Sequence, residues 1–414
     1  MIPGGDAAPG GGATGKWRTI ALLAAAELLV MGLWFSASAV APVLREHWNL
    51  SGAQAAWLTM AVQLGFVAGA LLSALFNVPD LWPPRRVVAC GAWGGAAVNA
   101  LVPFLDVSFG GAVAARFATG MALAAVYPPG MKIIATWTRE DRGLAIGILV
   151  GALTVGSASP HLLRALGGIS AWESVMYLAS GLAAVGGLIA WRYGEQGPHR
   201  VPAPPFRWRY MSRAFTQRPL RLANGGYLGH MWELYAMWTW IPLFLAHAYQ
   251  AAGVAGAPVK ASIAAFATIG VGGLGCTAAG WLADRWGRTR TTIASMVISG
   301  TCAVAIGPLM PSDPIIVTVV AIIWGFAIVA DSAQFSASVS ELSDAGYLGT
   351  QLTTQTSVGF LLTLASIQLV PLLVEWVGWR WAFAFLAPGP ALGSLSMWLL
   401  QQSPEAGKLA GGRG

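Results

Sequence analysis

"GHMWELYAMWTW", from Gly229 to Trp240, sets a histidine and a glutamate three residues apart in a run that otherwise reads as buried apolar helix. An ionisable side chain at the centre of a bilayer costs about 2.5–3.5 kcal/mol on insertion scales, so a carboxylate kept there has a task. Sliding the sequence by 206 positions lays Glu27, Leu28, Met31 and Trp34 on Glu233, Leu234, Met237 and Trp240, so the pattern E-L-x-x-M-x-x-W occurs twice. At the same offset Gly143 falls on Gly349, and two distant matches in one register point to an internal duplication.

Around these stretches the chain is built from apolar blocks. Of its 414 residues 56% are hydrophobic and only 10% charged, and the charges sit in short connectors. This is the composition of a polytopic membrane protein. Twelve blocks have the length of a membrane helix: roughly 17–41, 52–76, 87–106, 109–136, 142–166, 172–192, 220–248, 259–283, 290–310, 314–339, 346–374 and 378–400. A closed β-barrel needs short alternating segments, so the expected fold is an all-α membrane protein of twelve helices in two pseudo-symmetric bundles.

With the N-terminus inside, all but five of the 24 Lys and Arg residues fall in cytoplasmic connectors or their flanks. Arg45, Arg116, Arg164, Lys260 and Arg380 remain for the membrane or the outer side. The positive-inside rule therefore puts both termini in the cytoplasm. The net charge of +7 is a topology signal, because no basic stripe interleaves with stacking aromatics as a nucleic-acid surface requires. Lys16 and Arg18 followed by an apolar run and "SASA" imitate a secretory signal, but Glu27 interrupts the apolar core and the segment has its partner at Glu233. Cys90, Cys276 and Cys302 fall within spans without paired spacing, so neither disulfide nor metal is expected.

The longest polar stretch lies between Trp191 and Arg221. It divides the chain into a Gly-rich tail (1–15), a first six-helix bundle (16–193), a cytoplasmic linker (194–218), a second bundle (219–401) and a C-terminal tail (402–414).

One connector is a motif. "GWLADRWGRTR", Gly280 to Arg290, resembles the G-x-x-x-D-R-x-G-R-[RK] loop of the major facilitator superfamily, with Thr289 where a second basic residue is usual. The superfamily repeats this loop between its second and third spans; here that place holds "NVPDLWPPRR", Asn77 to Arg86, which keeps Asp80, Arg85 and Arg86 but lacks the glycines. "RFATG", Arg116 to Gly120, is similar to the R-x-x-x-G element of its fourth span. The resemblance covers the chain after residue 15 and implies a secondary transporter whose spans one, four, seven and ten line a central cavity. Gly280, Asp284, Arg285, Gly287 and Arg288, with Asp80, Arg85 and Arg86, are the expected conformational latch. Their alternative is a plain positive connector.

The candidate substrate and proton residues are the polar ones in spans. Glu27 lies at midplane depth, with Met31, Trp34 and Ser38 on its helical face. His230, Glu233, Met237 and Trp240 form the matching stripe, and the spacing of His230 and Glu233 predicts a shared proton. Arg116 is a carboxylate partner, an anion ligand or an interfacial residue. Tyr127 and Lys132 flank "PPG", where a break in the helix frees backbone carbonyls. Asp331 and Gln334 share one face of span ten, and Gln63, Gln351 and Gln355 are further cavity or helix-bridging amides. Glycines at 147, 151 and 156 of span five allow close helix packing; Pro160-His161 stands where exporting antiporters of the superfamily carry Gly-Pro.

Without a nucleotide-binding loop or a soluble domain the energy source is an ion gradient, protons before sodium. The expected function is proton-coupled symport of a small organic solute, an organic anion foremost, by a monomer embedded in the lipid of the bacterial inner membrane. It involves no cofactor and no nucleic acid. The alternatives are a proton-coupled exporter of cationic or amphiphilic compounds, a non-transporting sensor, and an intramembrane enzyme, for which no nucleophile and base pair is found.

Overall fold

The computed structural model describes residues 13–76, 78–105, 107–138, 142–167, 172–199, 207–344 and 347–414. Most of the Gly-rich tail, Asn77 of the degenerate loop, part of the "TREDRG" connector and the centre of the linker lie outside these residues, as does the Asp80 side chain. Every regular element among the described residues is helical.

Among the described residues ten helices are long and apolar enough to cross a membrane: spans one (Gly15–Ala39), two (Gly52–Leu75), three (Pro84–Phe104), four (Phe109–Ala135), five (Gly143–Leu166), six (Trp172–Tyr193), eight (Ala257–Trp286), ten (Pro314–Leu342), eleven (Leu348–Val377) and twelve (Trp379–Gln401). Spans seven (Arg218–Ala251) and nine (Arg288–Ala305) complete the twelve and are the less apolar pair. They carry Glu233 and Ser299, which meet in the interior. Their polarity is thus turned inward, where lipid does not meet it.

Helix starts follow local chemistry. Ser51 and Gln54 form a reciprocal cap at span two, and Asp313 accepts from the amide of Ile315 at 2.8 Å to start span ten. Spans four and ten are each interrupted: the first runs as Phe109–Leu123 and Tyr127–Ala135, the second as Pro314–Ala330 and Ser332–Leu342. At the duplication offset Ala125, inside the first break, corresponds to Asp331, which is the second break. The repeat seen in spans one and seven therefore extends to these two interruptions, whereas the break of span eight at Val271 falls opposite Gly65 in the unbroken span two.

Within the first bundle span one packs on spans five and six, two on four, and three on six; in the second, span seven packs on eleven and twelve, and nine on ten and twelve. Two seams join the bundles, span two against eleven and five against eight. The second is glycine-lined. A Cβ on Gly147 would fall 3.1 Å from the Cys276 carbonyl oxygen, and one on Gly151 2.8 Å from that of Gly273. The Gly156 backbone lies closer still to that of Leu28 in span one. Backbones meet here because no side chain stands between them.

Candidate functional site

The centre of the second bundle holds four buried ionisable or hydroxyl groups from three spans. Glu233 accepts hydrogen bonds from Trp324 Nε1 at 2.7 Å and Ser299 Oγ at 2.9 Å. His230 Nδ1 lies 2.9 Å from Asp331 Oδ1, and its Nε2 is 2.9 Å from Ser332 Oγ. His230, Glu233 and Asp331 are each no more than 2% exposed, so none of their charges is hydrated.

This corrects the expectation that His230 shares its proton with Glu233. Residues three apart on a helix share a face, yet these two side chains take different partners. The interruption of span ten delivers Asp331 and Ser332 to the imidazole, whereas Trp324 and Ser299 hold the glutamate. Trp324 and Ser299 escaped the sequence reading, as nothing in their surroundings distinguishes them from packing residues.

In the first bundle Glu27 is equally buried, and its Oε1 has no hydrogen-bond partner. Its Oε2 lies 3.5 Å from where a Cβ on Gly130 would stand, so the carboxylate rests against the first turns of Tyr127–Ala135. A helix start favours negative charge there. Tyr127 begins that helix and Lys132 stands in its last turn, both half-buried.

Between Glu27 and the far ends of the spans lies an aromatic layer. Trp34 packs at ring-centroid distances of 5.1 Å from Phe66, 5.7 Å from Tyr235 and 5.4 Å from Phe360, drawing rings from both bundles. Met31 and Met237 are fully buried in the same core. Gln63 reaches across the bundles, its Oε1 accepting from Thr363 Oγ1. Trp240 donates to the Ile367 carbonyl at 2.9 Å and lines a pocket beyond the layer.

Arg116 does not serve this centre. Its guanidinium, wholly buried, donates to the carbonyls of Leu58 at 3.2 Å and Leu33 at 2.9 Å, to that of Trp34, to Ser36 Oγ at 3.1 Å and to Asn99 Oδ1 at 3.0 Å. The arginine ties spans one to four together, with each of its three nitrogens donating to protein oxygens. Gln351 and Gln355 likewise bridge, to the Tyr210 carbonyl at 2.6 Å and to Asn224 Oδ1 at 2.9 Å.

Gln334, expected beside Asp331, belongs to the connector motif instead. Arg288 donates to Gln334 Oε1 at 2.8 Å and forms a two-pronged pair with Glu341 at 2.8 and 2.6 Å. Asp284 lies 3.5 Å from the same guanidinium. Glu341, at the end of span ten, was not singled out from sequence. A Cβ on Gly143 would fall 2.5 Å from an Asp284 carboxylate oxygen, and one on Gly280 2.8 Å from the Gly143 carbonyl oxygen. Gly287 takes φ +105°, which only glycine adopts freely. Arg285 stacks on Trp281, and Arg85 pairs with Glu195 at 3.4 Å on the surface. Pro404–Gly411 folds against this corner, with the Ala410 amide donating to Glu341 at 3.1 Å.

Comparison with known proteins agrees with this architecture. The hexuronate transporter of Escherichia coli (strain K12) is 25% identical over 95% of this chain and 96% of its own length. The nucleoside transporter NupG superposes with a TM-score of 0.65 at 14% identity, over 93% of this chain and 100% of that one. The proton:xylose symporter XylE gives 0.68 at 13% identity, over 93% and 96%. The profile of the Major Facilitator Superfamily matches residues 23–367. With twelve spans in two bundles, interruptions in four and ten, and a glycine-lined seam closed by an Asp-Arg connector, the chain belongs to the Major Facilitator Superfamily of secondary transporters.

Proposed function

We propose that the protein takes up a small sugar acid together with protons, and that His230, Asp331 and Glu233 are the coupling groups. The observation that carries the coupling is the 2.9 Å approach of His230 to Asp331 at the interruption of span ten. Buried charges of opposite sign are tolerated as a pair, whereas one left alone costs several kcal/mol. A proton arriving at or leaving this pair therefore changes how strongly spans seven and ten hold together. Rocking of the bundles, with the layer around Trp34 on one side and the Asp284 corner on the other, then exposes the centre alternately. The substrate class rests on the likeness to the hexuronate transporter, which spans nearly all of both chains.

The arginine bias assigns the connector bearing Asp284 to the cytoplasm and the opposite ends of the spans to the outside. The test is uptake of labelled glucuronate and galacturonate into proteoliposomes, with and without an inward-directed proton gradient. Accumulation above the external concentration that collapses with a protonophore supports the reading. Downhill movement insensitive to the gradient removes the coupling, and no movement of any sugar acid removes the substrate class.

A further inference from the structure

Beyond the aromatic layer, on the face opposite the Asp284 corner, lies a pocket that the central site does not account for. It opens between the ends of spans one, two, five and seven, and thus between the two bundles. Arg45 and Arg164 line it with the hydroxyl residues Ser38, Thr59 and Thr239 and with Trp240; among the described residues no acidic one is in its walls. Arg45 is steadied by a hydrogen bond from its Nε to the Leu50 carbonyl at 3.3 Å. Arg164 is different. It is only 8% exposed, its Nε is buried without a hydrogen-bond partner, and among the described residues no carboxylate pairs with it. One turn earlier on the same span His161 is 1% exposed with both ring nitrogens unpartnered.

A guanidinium N–H buried without an acceptor is an unfavourable arrangement, and proteins resolve it with oxygens of their own or with an anion from outside. Arg116 shows the first solution in this chain, with each of its three nitrogens donating to neutral protein oxygens. Arg164 has no such internal acceptor and borders an opening. A guanidinium recognises a carboxylate through two parallel hydrogen bonds, a second arginine adds charge, and hydroxyls suit the ring oxygens of a polyol. The buried indole of Trp240 adds apolar surface to the wall.

We infer that this pocket is a docking subsite for the substrate's carboxylate, with Arg164 as the specificity-determining residue and Arg45 as its assistant, occupied before the layer around Trp34 opens. The inference deepens the sugar-acid reading and rests on it. It accounts for a specificity that the centre does not supply, since Arg116 is held by oxygens of spans one to three. Neutral sugars leave Arg164 unpaired and are rejected here.

The experiment compares wild type, Arg164→Gln, Arg164→Lys and Arg45→Gln in proteoliposomes, with glucuronate, glucose and acetate as probes. Arg164→Gln is expected to raise the KM for glucuronate at least about tenfold while changing the maximal rate less, Arg164→Lys to give an intermediate value, and Arg45→Gln a smaller rise. Thermal stability of the purified variant separates docking from structure: removal of an unpaired buried charge leaves the melting temperature equal or higher. A marked drop in melting temperature, or an unchanged KM in a chain that does transport glucuronate, would overturn the subsite while leaving the transporter reading intact. If wild type carries no sugar acid yet binds acetate in an Arg164-dependent way, the subsite stands and the substrate class fails. Absence of any carboxylate binding overturns both.

Discussion

Gly143 and Asp284 stand so close that a single added methyl on the glycine would fall 2.5 Å from the carboxylate. The aspartate of span eight thus rests on the first turn of span five, where unpaired amides and the helix dipole favour its charge. One bundle holds the other by a contact that any rocking motion must break. Asp284→Asn is expected to slow transport about tenfold, the equivalent of one charge-assisted hydrogen bond, with little change in substrate affinity. Gly143→Ala should act in the same direction, and the double variant should be no slower than the worse single one, because both remove the same contact. Initial rates and equilibrium binding on the same preparations check this. A large loss of affinity at normal turnover would contradict it. Asp80→Asn should matter less.

Asp331→Asn is expected to abolish accumulation driven by a proton gradient while leaving exchange of internal for external substrate measurable. His230→Ala should shift the pH optimum more than it lowers the maximal rate. If the two groups act as a unit, their combined effect is smaller than the product of the separate ones. Counterflow and gradient-driven uptake, measured side by side across pH, decide the matter.

Glu233→Gln keeps the shape and, through its one oxygen, the hydrogen bond from Trp324, with the Ser299 hydroxyl turned to accept from the amide, but fixes the group as neutral. Substrate binding or exchange should survive and uphill transport should fail. Should this variant accumulate substrate with an unchanged proton requirement, the carboxylate is structural, and Glu27 and Asp331 carry the coupling.

Arg116→Gln is expected to lose folding stability, by roughly 2–4 kcal/mol or more, since it strands several buried carbonyls at once. Arg116→Lys should not rescue it, because an ammonium cannot span the acceptors that the planar fork reaches. Yield and melting temperature are the measurements; a stable Arg116→Gln protein with only a raised KM would return this residue to the substrate pathway.

The twelve spans were legible because apolar length and the placement of arginines are local properties of the chain. So was the repeat, since Glu27 and Glu233 keep their neighbours. The interruption of span four announced itself in "YPPG"; that of span ten did not, because Asp331 breaks its helix without proline or glycine. Partnerships were the least legible. Spacing along one helix joined His230 to Glu233, but their true partners arrive from spans nine and ten, at separations that no periodicity encodes. Arg116 and Arg164 look alike as lone arginines within spans, and Arg288 is one of three arginines in a basic connector. One is held by carbonyls from other helices, one faces a pocket, and one grips Glu341, and only the packing of the whole chain distinguishes them.

The bare backbone contact of Gly147 and Gly151 with Gly273 and Cys276 has a mechanical meaning. A joint made of interlocking side chains must unpack before it turns, and each unpacking is a barrier. Two smooth surfaces pressed together behave as a bearing, with friction set by whatever protrudes. Natural variation or engineering at these glycines should therefore tune the speed of the carrier without touching what it carries, each added methyl acting as a brake.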